Sequence, residues 1–315
     1  MGGLLDMVCT AYLLGMEHTD DCDYRPFELT RDERRLWAGR RIWAEFITLF
    51  NEPNHSEIFR DKCRFLEVFS RHIRREWLPI SDETEPAQFS NWCQRHPSFI
   101  AKPLDRLHGA VVMRYHVGEA DPGQALQDLR DRVMGLVEEE TRQHFAFQAL
   151  NPSSVNTVRI VTLLWEERVH LLSAVLRMGR DGIVDNLAAG GYAAPLDIMT
   201  GVVNGPAVDK KGGRKRSYDR HPLSQTMIMG FKISDWDDVK RMIEEAAQAV
   251  PQVRTVGWDV AIAGDGPMLV EGNHNWCRKP FQLPCGRGAA QELLAYMPQG
   301  SAYSRRRPLE QGKGL

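Results

Sequence analysis

Two pairs of apolar runs, each joined by a short polar turn, constrain this chain more than any other feature. Thr157-Val-Arg-Ile-Val-Thr-Leu-Leu-Trp165 and Val169-His-Leu-Leu-Ser-Ala-Val-Leu-Arg177 are rich in β-branched residues and are separated only by Glu-Glu-Arg. Val256–Ala263 and Met268–Glu271 repeat the arrangement around Gly264-Asp-Gly266. Gaps this short join antiparallel strands, because a parallel pair needs a crossover of a dozen residues or more. The chain has no strand–GxGxxG–helix unit and no GxxxxGK[ST], so dinucleotide-binding and P-loop folds are poor fits.

Helical periodicity dominates before the hairpins. Residues 1 to about 80 read as helical, with Leu36, Trp37, Trp43, Ile47 and Phe50 on one stripe until Asn51-Glu-Pro-Asn54 breaks it. A second amphipathic helix is predicted to carry Phe59, Leu66, Phe69 and Ile73 and to end before Leu78-Pro79. Residues 80–97 read as a loop and a short helix buried through Phe89 and Trp92. Ser98-Phe-Ile-Ala-Lys-Pro103 and Val111–Val117 read as strands, Ala125–Glu140 as one helix, 182–206 as glycine-rich turns, and Trp236–Val250 as an amphipathic helix. The expected class is α+β with antiparallel hairpins after a helical entry.

A net charge of −2 gives no global attraction to nucleic acid or an anionic membrane. The six cysteines show no Cys-x-x-Cys or zinc spacing, as expected for reduced thiols in the cytoplasm. No run reaches the ~18 apolar residues of a membrane span. The start, MGGLLDMVCTAYLLGMEH, lacks a basic segment and carries Asp6 early. It reads as a packed helix rather than a secretory signal.

The chemistry gathers at a few positions. Asp259 sits in one strand of the last hairpin, and Glu271-Gly-Asn273 ends the other. Glu271 and Asn273, two apart, share a face of an extended segment. Hard oxygen donors on paired strands suit Mg²⁺, which takes a few carboxylates together with nucleotide phosphates. Lys102 at a strand end, and Lys62, are cations that can clamp those phosphates from the other side. Arg159 alternates with Val158 and Ile160 and so faces away from the apolar layer, toward a transferring phosphoryl group if that face lines a cleft. Asn186 precedes Gly190-Gly191, whose backbone N–H groups can approach an anion. Arg278 and Lys279 follow the acidic motif and suit a substrate carboxylate or acyl phosphate. The basic stretch Lys210–Arg216 reads either as a solvated loop or as a guide for an acidic substrate such as a uronic acid or nucleotide sugar. There is no Gly-x-Ser-x-Gly and no His-Glu-x-x-His, so no dedicated nucleophile or zinc-protease site is indicated.

Several strings resemble the ATP-grasp superfamily, and most closely its sugar-transfer-associated branch. They are Arg60-Asp-Lys62, Ile100-Ala-Lys-Pro103, Leu150-Asn-Pro-Ser-Ser-Val-Asn-Thr-Val-Arg159, Val184-Asp-Asn186 with Gly190-Gly191, His221-Pro222 with Gly230-Phe231 and Trp236, and Gly257-Trp-Asp259 with Glu271-Gly-Asn273. The resemblance spans about residues 55–285. It implies an ATP-grasp fold, two α+β subdomains holding ATP between them, with a helical N-terminal segment (1–57), the ATP-grasp domain (58–295) and a flexible C-terminal tail (296–315). By the same resemblance, Lys62 and Lys102 contact ATP phosphates, and one of Glu138, Glu139 and Glu140, with Glu139 foremost, recognises adenine. Asp259, Glu271 and Asn273 hold one or two Mg²⁺ ions, while Arg159 and Asn186 face the γ-phosphate or the acyl phosphate. Family members usually carry a glycine-rich loop after Lys-Pro, whereas Leu104-Asp-Arg-Leu-His-Gly-Ala-Val-Val112 keeps only Gly109.

The implied activity is ATP- and Mg²⁺-dependent ligation of a carboxylate to an amine through an acyl phosphate, in cell-envelope polysaccharide or specialised-metabolite biosynthesis. The partners are then small-molecule acids and amines, with no nucleic acid, and the oligomeric state is open. Phosphoryl transfer to a hydroxyl, or nucleotide binding without catalysis, are the alternatives at this point.

Overall fold

The computed structural model describes residues 24, 28–104, 112–118, 121–182, 185, 187–209 and 216–299. The start of the chain, most of the glycine-poor loop after Pro103, Asn186, Lys210–Lys215 and nearly all of the expected tail lie outside them. Helices run at Arg31–Leu36 (α1), Arg40–Phe50 (α2), Lys62–Val68 (α3), Pro86–Arg95 (α4), Pro122–Asp131 (α5), Phe145–Leu150 (α6), Trp236–Ala249 (α7), Arg278–Gln282 (α8) and Ala290–Tyr296 (α9). Among the described residues no helix is long and apolar enough to cross a membrane.

The strands form two antiparallel sheets. A four-stranded sheet has the order β1 (Trp77–Pro79), β4 (Leu136–Glu139), β2 (Ser98–Lys102), β3 (Met113–His116). A seven-stranded sheet has the order β11 (Gly266–Asn273), β10 (Thr255–Ala263), β5 (Thr157–Trp165), β6 (Arg168–Met178), β7 (Tyr192–Pro195), β8 (Ala207–Asp209), β9 (Arg216–Tyr218). Both predicted hairpins are present as β5–β6 and β10–β11. The β5–β6 turn places Glu166 and Glu167 at φ 48° and 62°, the left-handed pair that matches the twist of two adjoining strands. Non-local pairing of β5 with β10 puts the two hairpins side by side.

The large sheet is covered on both faces. One face meets α7 through Val239, Ile243 and Ala246, together with Phe65 and Phe69 at the α3 end. The other meets α2 and α9 through Ile42, Phe46, Phe50 and Leu293. This double burial is why β5 reads as a nearly continuous apolar run. Fully burying such side chains stabilises the fold by about 1.5–3 kcal/mol each. The small sheet has a separate core, where Phe89 and Trp92 of α4 and Leu126 and Leu129 of α5 pack under Phe99 and Val137.

Two expected helices are corrected. The segment 125–140 is a helix only to Asp131; the chain then turns through Val133, at φ 57°, and enters β4. Leu136-Val-Glu-Glu lies between β1 and β2, and pairing on both edges outweighs its weak helical preference. The helix expected to carry Phe59 to Ile73 is broken into a 3₁₀ segment Pro53–Phe59, then α3, then a 3₁₀ turn Ser70–His72. Asp61 caps α3, accepting from the backbone N–H of Cys63 and Arg64, so a new helix starts there.

Candidate active site

One cleft of about 1050 Å³ lies between the two sheets. Lys62, Lys102, Glu138, Glu139, Glu140, Arg159, Asp259, Glu271 and Asn273 all line it, so the residues singled out from the sequence meet in one place.

The cleft floor is a cross-strand row. Arg159 on β5 is directly opposite Asp259 on β10, which is opposite Glu271 on β11. Because directly opposed residues share a face, the ladder alone puts a guanidinium and two carboxylates in line. Arg159 grips Asp259 with two bonds, Nε to Oδ1 at 2.5 Å and Nη2 to Oδ2 at 2.7 Å. A second guanidinium, Arg177, donates to Asp259 Oδ1 at 2.7 Å and to Asp185 Oδ1 at 2.7 Å. Asp185 in turn accepts from the backbone N–H of Thr157 at 3.0 Å and from its hydroxyl. Burial opposes the charge on Asp259, but the two arginines outweigh it and hold the carboxyl well below its usual range. Arg177 is buried yet held firmly in its charged form by Asp185 and Asp259.

Glu271 is different. It faces the open cleft, protein surrounds its other sides, and no cationic side chain pairs with it among the described residues. Its Oε1 accepts from the Asn273 amide at 3.0 Å. Burial and the neighbouring Asp259 push its pKa up. Two adjacent carboxylates, one clamped by arginines and one lacking a counter-charge, with an amide oxygen beside them, fit a hard divalent cation such as Mg²⁺. The intervening Gly272 is a packing requirement, since a Cβ there would lie 2.9 Å from Phe65 and 3.0 Å from Phe59.

The opposite wall carries a second buried cluster. Glu138 is bonded by Arg75 at 2.8 Å and by Lys102. Burial alone would raise its pKa, but the two cations bring it down to about 2. Glu138 is thereby paired with both Arg75 and Lys102. Glu139 accepts from the backbone N–H of Glu76 at 3.1 Å, and Glu140 from Arg114 at 3.0 Å. Lys62 donates to the Leu104 carbonyl at 3.0 Å, which points it toward the small sheet.

The Glu138 cluster has a pH signature. Its folded pKa lies below the ordinary 4.5, so its stabilisation is complete above pH 4.5 and is lost as pH falls toward about 2. The depression corresponds to about 3 kcal/mol. Glu138→Gln is expected to lower the urea midpoint at pH 7 and to flatten the wild-type decline between pH 4.5 and 2.5. A variant that keeps the wild-type acid slope rules this out.

The string Asn151-Pro-Ser-Ser-Val-Asn156 is a hydrogen-bonded knot that also lines the cleft through Pro152, Ser154 and Val155. The Asn156 amide donates to the carbonyls of Phe147 and Asn151, both at 2.9 Å, and its N–H donates to Gln143 at 2.7 Å. This fixes the entry to β5 and so aims Thr157 and Arg159. His221 is likewise buried against the Gly179 carbonyl at 3.0 Å. Arg278 is a correction: it does not line the cleft, because its guanidinium lies 5.7 Å above the Trp43 ring of α2. Lys279 lines the cleft instead. Asn186 lies outside the described residues; the Gly190 carbonyl accepts from Arg180 at 2.9 Å. Arg177, Asp185 and Arg75 are buried, charge-paired cleft residues that the sequence reading gave no role.

Two antiparallel sheets gripping a cleft with cations on one wall and a carboxylate pair on the other define an ATP-grasp fold. The sequence model of the sugar-transfer associated ATP-grasp proteins matches residues 124–296, and the chain belongs to that family. Among solved structures it is similar to the ATP-grasp ligase PsnB complexed with minimal precursor, at 15% identity over 78% of this chain and 63% of that one, TM-score 0.45. It is also similar to D-alanyl-alanine synthetase A from Vibrio cholerae O1 biovar eltor, at 10% identity over 80% and 65%, TM-score 0.46. A third is N5-carboxyaminoimidazole synthase from Aspergillus clavatus in complex with ADP and 5-aminoimidazole ribonucleotide, at 13% identity over 71% and 46%, TM-score 0.43. The chain therefore spans less than two thirds of the length of each of these structures. A comparison with curated proteins finds no match.

Proposed function

We propose that this protein is an ATP- and Mg²⁺-dependent ligase that joins a carboxylic acid to an amine. The observation that carries the reading is the row Arg159, Asp259, Glu271 on the cleft floor, with Lys62 and Lys102 lining the same cleft. Asp259, Glu271 and Asn273 are the residues that would hold Mg²⁺, which when bound neutralises phosphate charge. Lys102, oriented by Glu138, and Lys62 bind the phosphates. The end of β4, at Glu139 and Glu140, meets the nucleotide base. Arg159 and Arg177 hold Asp259 ionised, and Lys279 supplies a cation near the acid.

In the reaction a carboxylate oxygen attacks the γ-phosphorus and ADP leaves. The amine nitrogen then attacks the acyl carbon, phosphate leaves with the bond electrons, and the nitrogen loses a proton to the departing phosphate or to water. These residues act by positioning and charge neutralisation, so no protein nucleophile is needed. The family name and the cationic cleft support an acid of cell-envelope polysaccharide or specialised-metabolite synthesis as substrate. The site 58–295 forms the catalytic unit, and 1–57 supports it through α2.

The test is an ADP-release screen over panels of acids and amines, with hydroxylamine added. An acid that releases ADP and yields a hydroxamate is the expected result, because hydroxylamine intercepts an acyl phosphate. ADP release with a stable phosphoester and no hydroxamate would make the protein a kinase and overturn the reading.

A further inference from the structure

Cationic side chains outnumber carboxylates along the cleft, and most of them are committed. Arg75 and Lys102 hold Glu138, Arg114 holds Glu140, and Arg159 and Arg177 hold Asp259 and Asp185. Arg60 and Arg142 line the cleft, are exposed to it, and have no carboxylate partner among the described residues. They lie in different places. Arg142 follows the β4 glutamates, on the side of the nucleotide base. Arg60 follows Phe59, whose ring lies 6.4 Å from that of His274, the residue after Asn273, and both Arg60 and His274 line the cleft.

The α3 cap explains why Arg60 and Lys62 serve different groups. Asp61 starts the helix between them, with Arg60 the last residue before the turn and Lys62 the first residue of α3. Lys62 reaches toward the Leu104 carbonyl and the small sheet, on the side that the ligase reading assigns to the phosphates. Arg60, next to Phe59 with its ring contact to His274, stands instead at the exit of β11, where His274, Asn275 and Lys279 also line the cleft. A guanidinium offers a planar fork that matches a carboxylate or phosphate, and it is worth more in a concave, partly desolvated site than on an open surface.

We propose that Arg60 recognises a second anionic group on the acid substrate, so that the substrate is at least dianionic: the carboxylate that reacts, and a phosphate or further carboxylate held by Arg60. This rests on the ligase reading above. The acid would lie across the exit of β11, its reacting carboxylate over the Asp259–Glu271 pair and its second anion against Arg60. A monoanionic acid of equal length leaves Arg60 without a partner and binds more weakly.

The test uses the full chain saturated with Mg²⁺ and a non-hydrolysable ATP analogue, titrated calorimetrically with two matched pairs of probes. Glycerate against 3-phosphoglycerate reports a phosphate, and butyrate against glutarate reports a second carboxylate. In at least one pair the dianion is expected to bind at least about tenfold more tightly, as for a well-formed charge-assisted contact. Arg60→Gln should bring that ratio below about twofold, whereas Arg142→Gln, which removes the same charge from the same cleft, should leave it in place. Equal affinities within both pairs, or equal loss in the two variants, overturns the proposal. The nucleotide titration that precedes it separates the two readings. Failure to bind the Mg²⁺-nucleotide overturns the ligase and this subsite together; binding without dianion preference overturns the subsite alone.

Discussion

Asp259→Asn combined with Glu271→Gln is expected to reduce substrate-dependent ADP release by at least ~10³-fold, the scale reached when preorganised charge at a phosphoryl-transfer site is removed. The two side chains are adjacent across β10 and β11, and Glu271 has no cationic side chain of its own. The amide replacements keep shape but remove both negative charges and turn one acceptor oxygen of each side chain into a donor, so the proposed Mg²⁺ site loses its anionic donors. The folded state should respond differently. Without its charge, position 259 leaves Arg159 facing a neutral amide, while Arg177 keeps Asp185. A moderate fall in melting temperature with near-complete loss of ADP release is therefore the expected pattern. Wild-type ADP release from a folded double variant would remove these residues from the site.

The second large effect is at Arg177. Its guanidinium bridges Asp259 and Asp185 at 2.7 Å each, and all three side chains are buried. Breaking a buried pair by deleting one partner strands the other charge and costs about 3–5 kcal/mol. Arg177→Met strands Asp185, whose remaining partner is Thr157, and leaves Asp259 to Arg159 alone. Thermal melts should show a fall of roughly 6–20 °C, taking about 2–4 °C per kcal/mol for a domain of this size. Adding Asp185→Asn to the same chain should recover part of the loss, because the stranded carboxylate is then neutral. If Arg177→Met melts with the wild type, or Asp185→Asn adds a full independent loss, the bridge is not a coupled unit.

The sequence disclosed these features unevenly, and the reason is locality. Asp259 and Glu271 lie on one hairpin, so their shared face follows from the period of a strand and the length of a turn. Arg159 was recognisable as polar within an apolar strand, but its bond to Asp259 depends on β5 pairing with β10, across about a hundred residues. Arg177 depends on the same pairing and so passed as the end of a strand. Arg75 and Glu138 required the small sheet to close against β11, and no local pattern encodes that. The error at 125–140 has the same source. Leu136-Val-Glu-Glu has no decisive local preference, and its strand state comes from β1 and β2 on its two edges. Arg278 and Lys279 were adjacent candidates, and only the packing of α8 against Trp43 separates them.

Arg75 has a geometric consequence. Its guanidinium donates to the carbonyls of Leu269 and Val270 on β11, at 2.7 and 3.1 Å, and with the same fork to Glu138 on β4. One side chain thus pins the edge of the large sheet to the middle strand of the small one. The two lobes cannot part at that point without stripping three hydrogen bonds from a buried cation, so they are coupled like jaws on a pivot. A relative movement of the two sheets that kept these three bonds would be a rotation about Arg75. The carboxylate row and Lys102, the latter tied to the same pivot through Glu138, would keep their spacing while the mouth opens and closes.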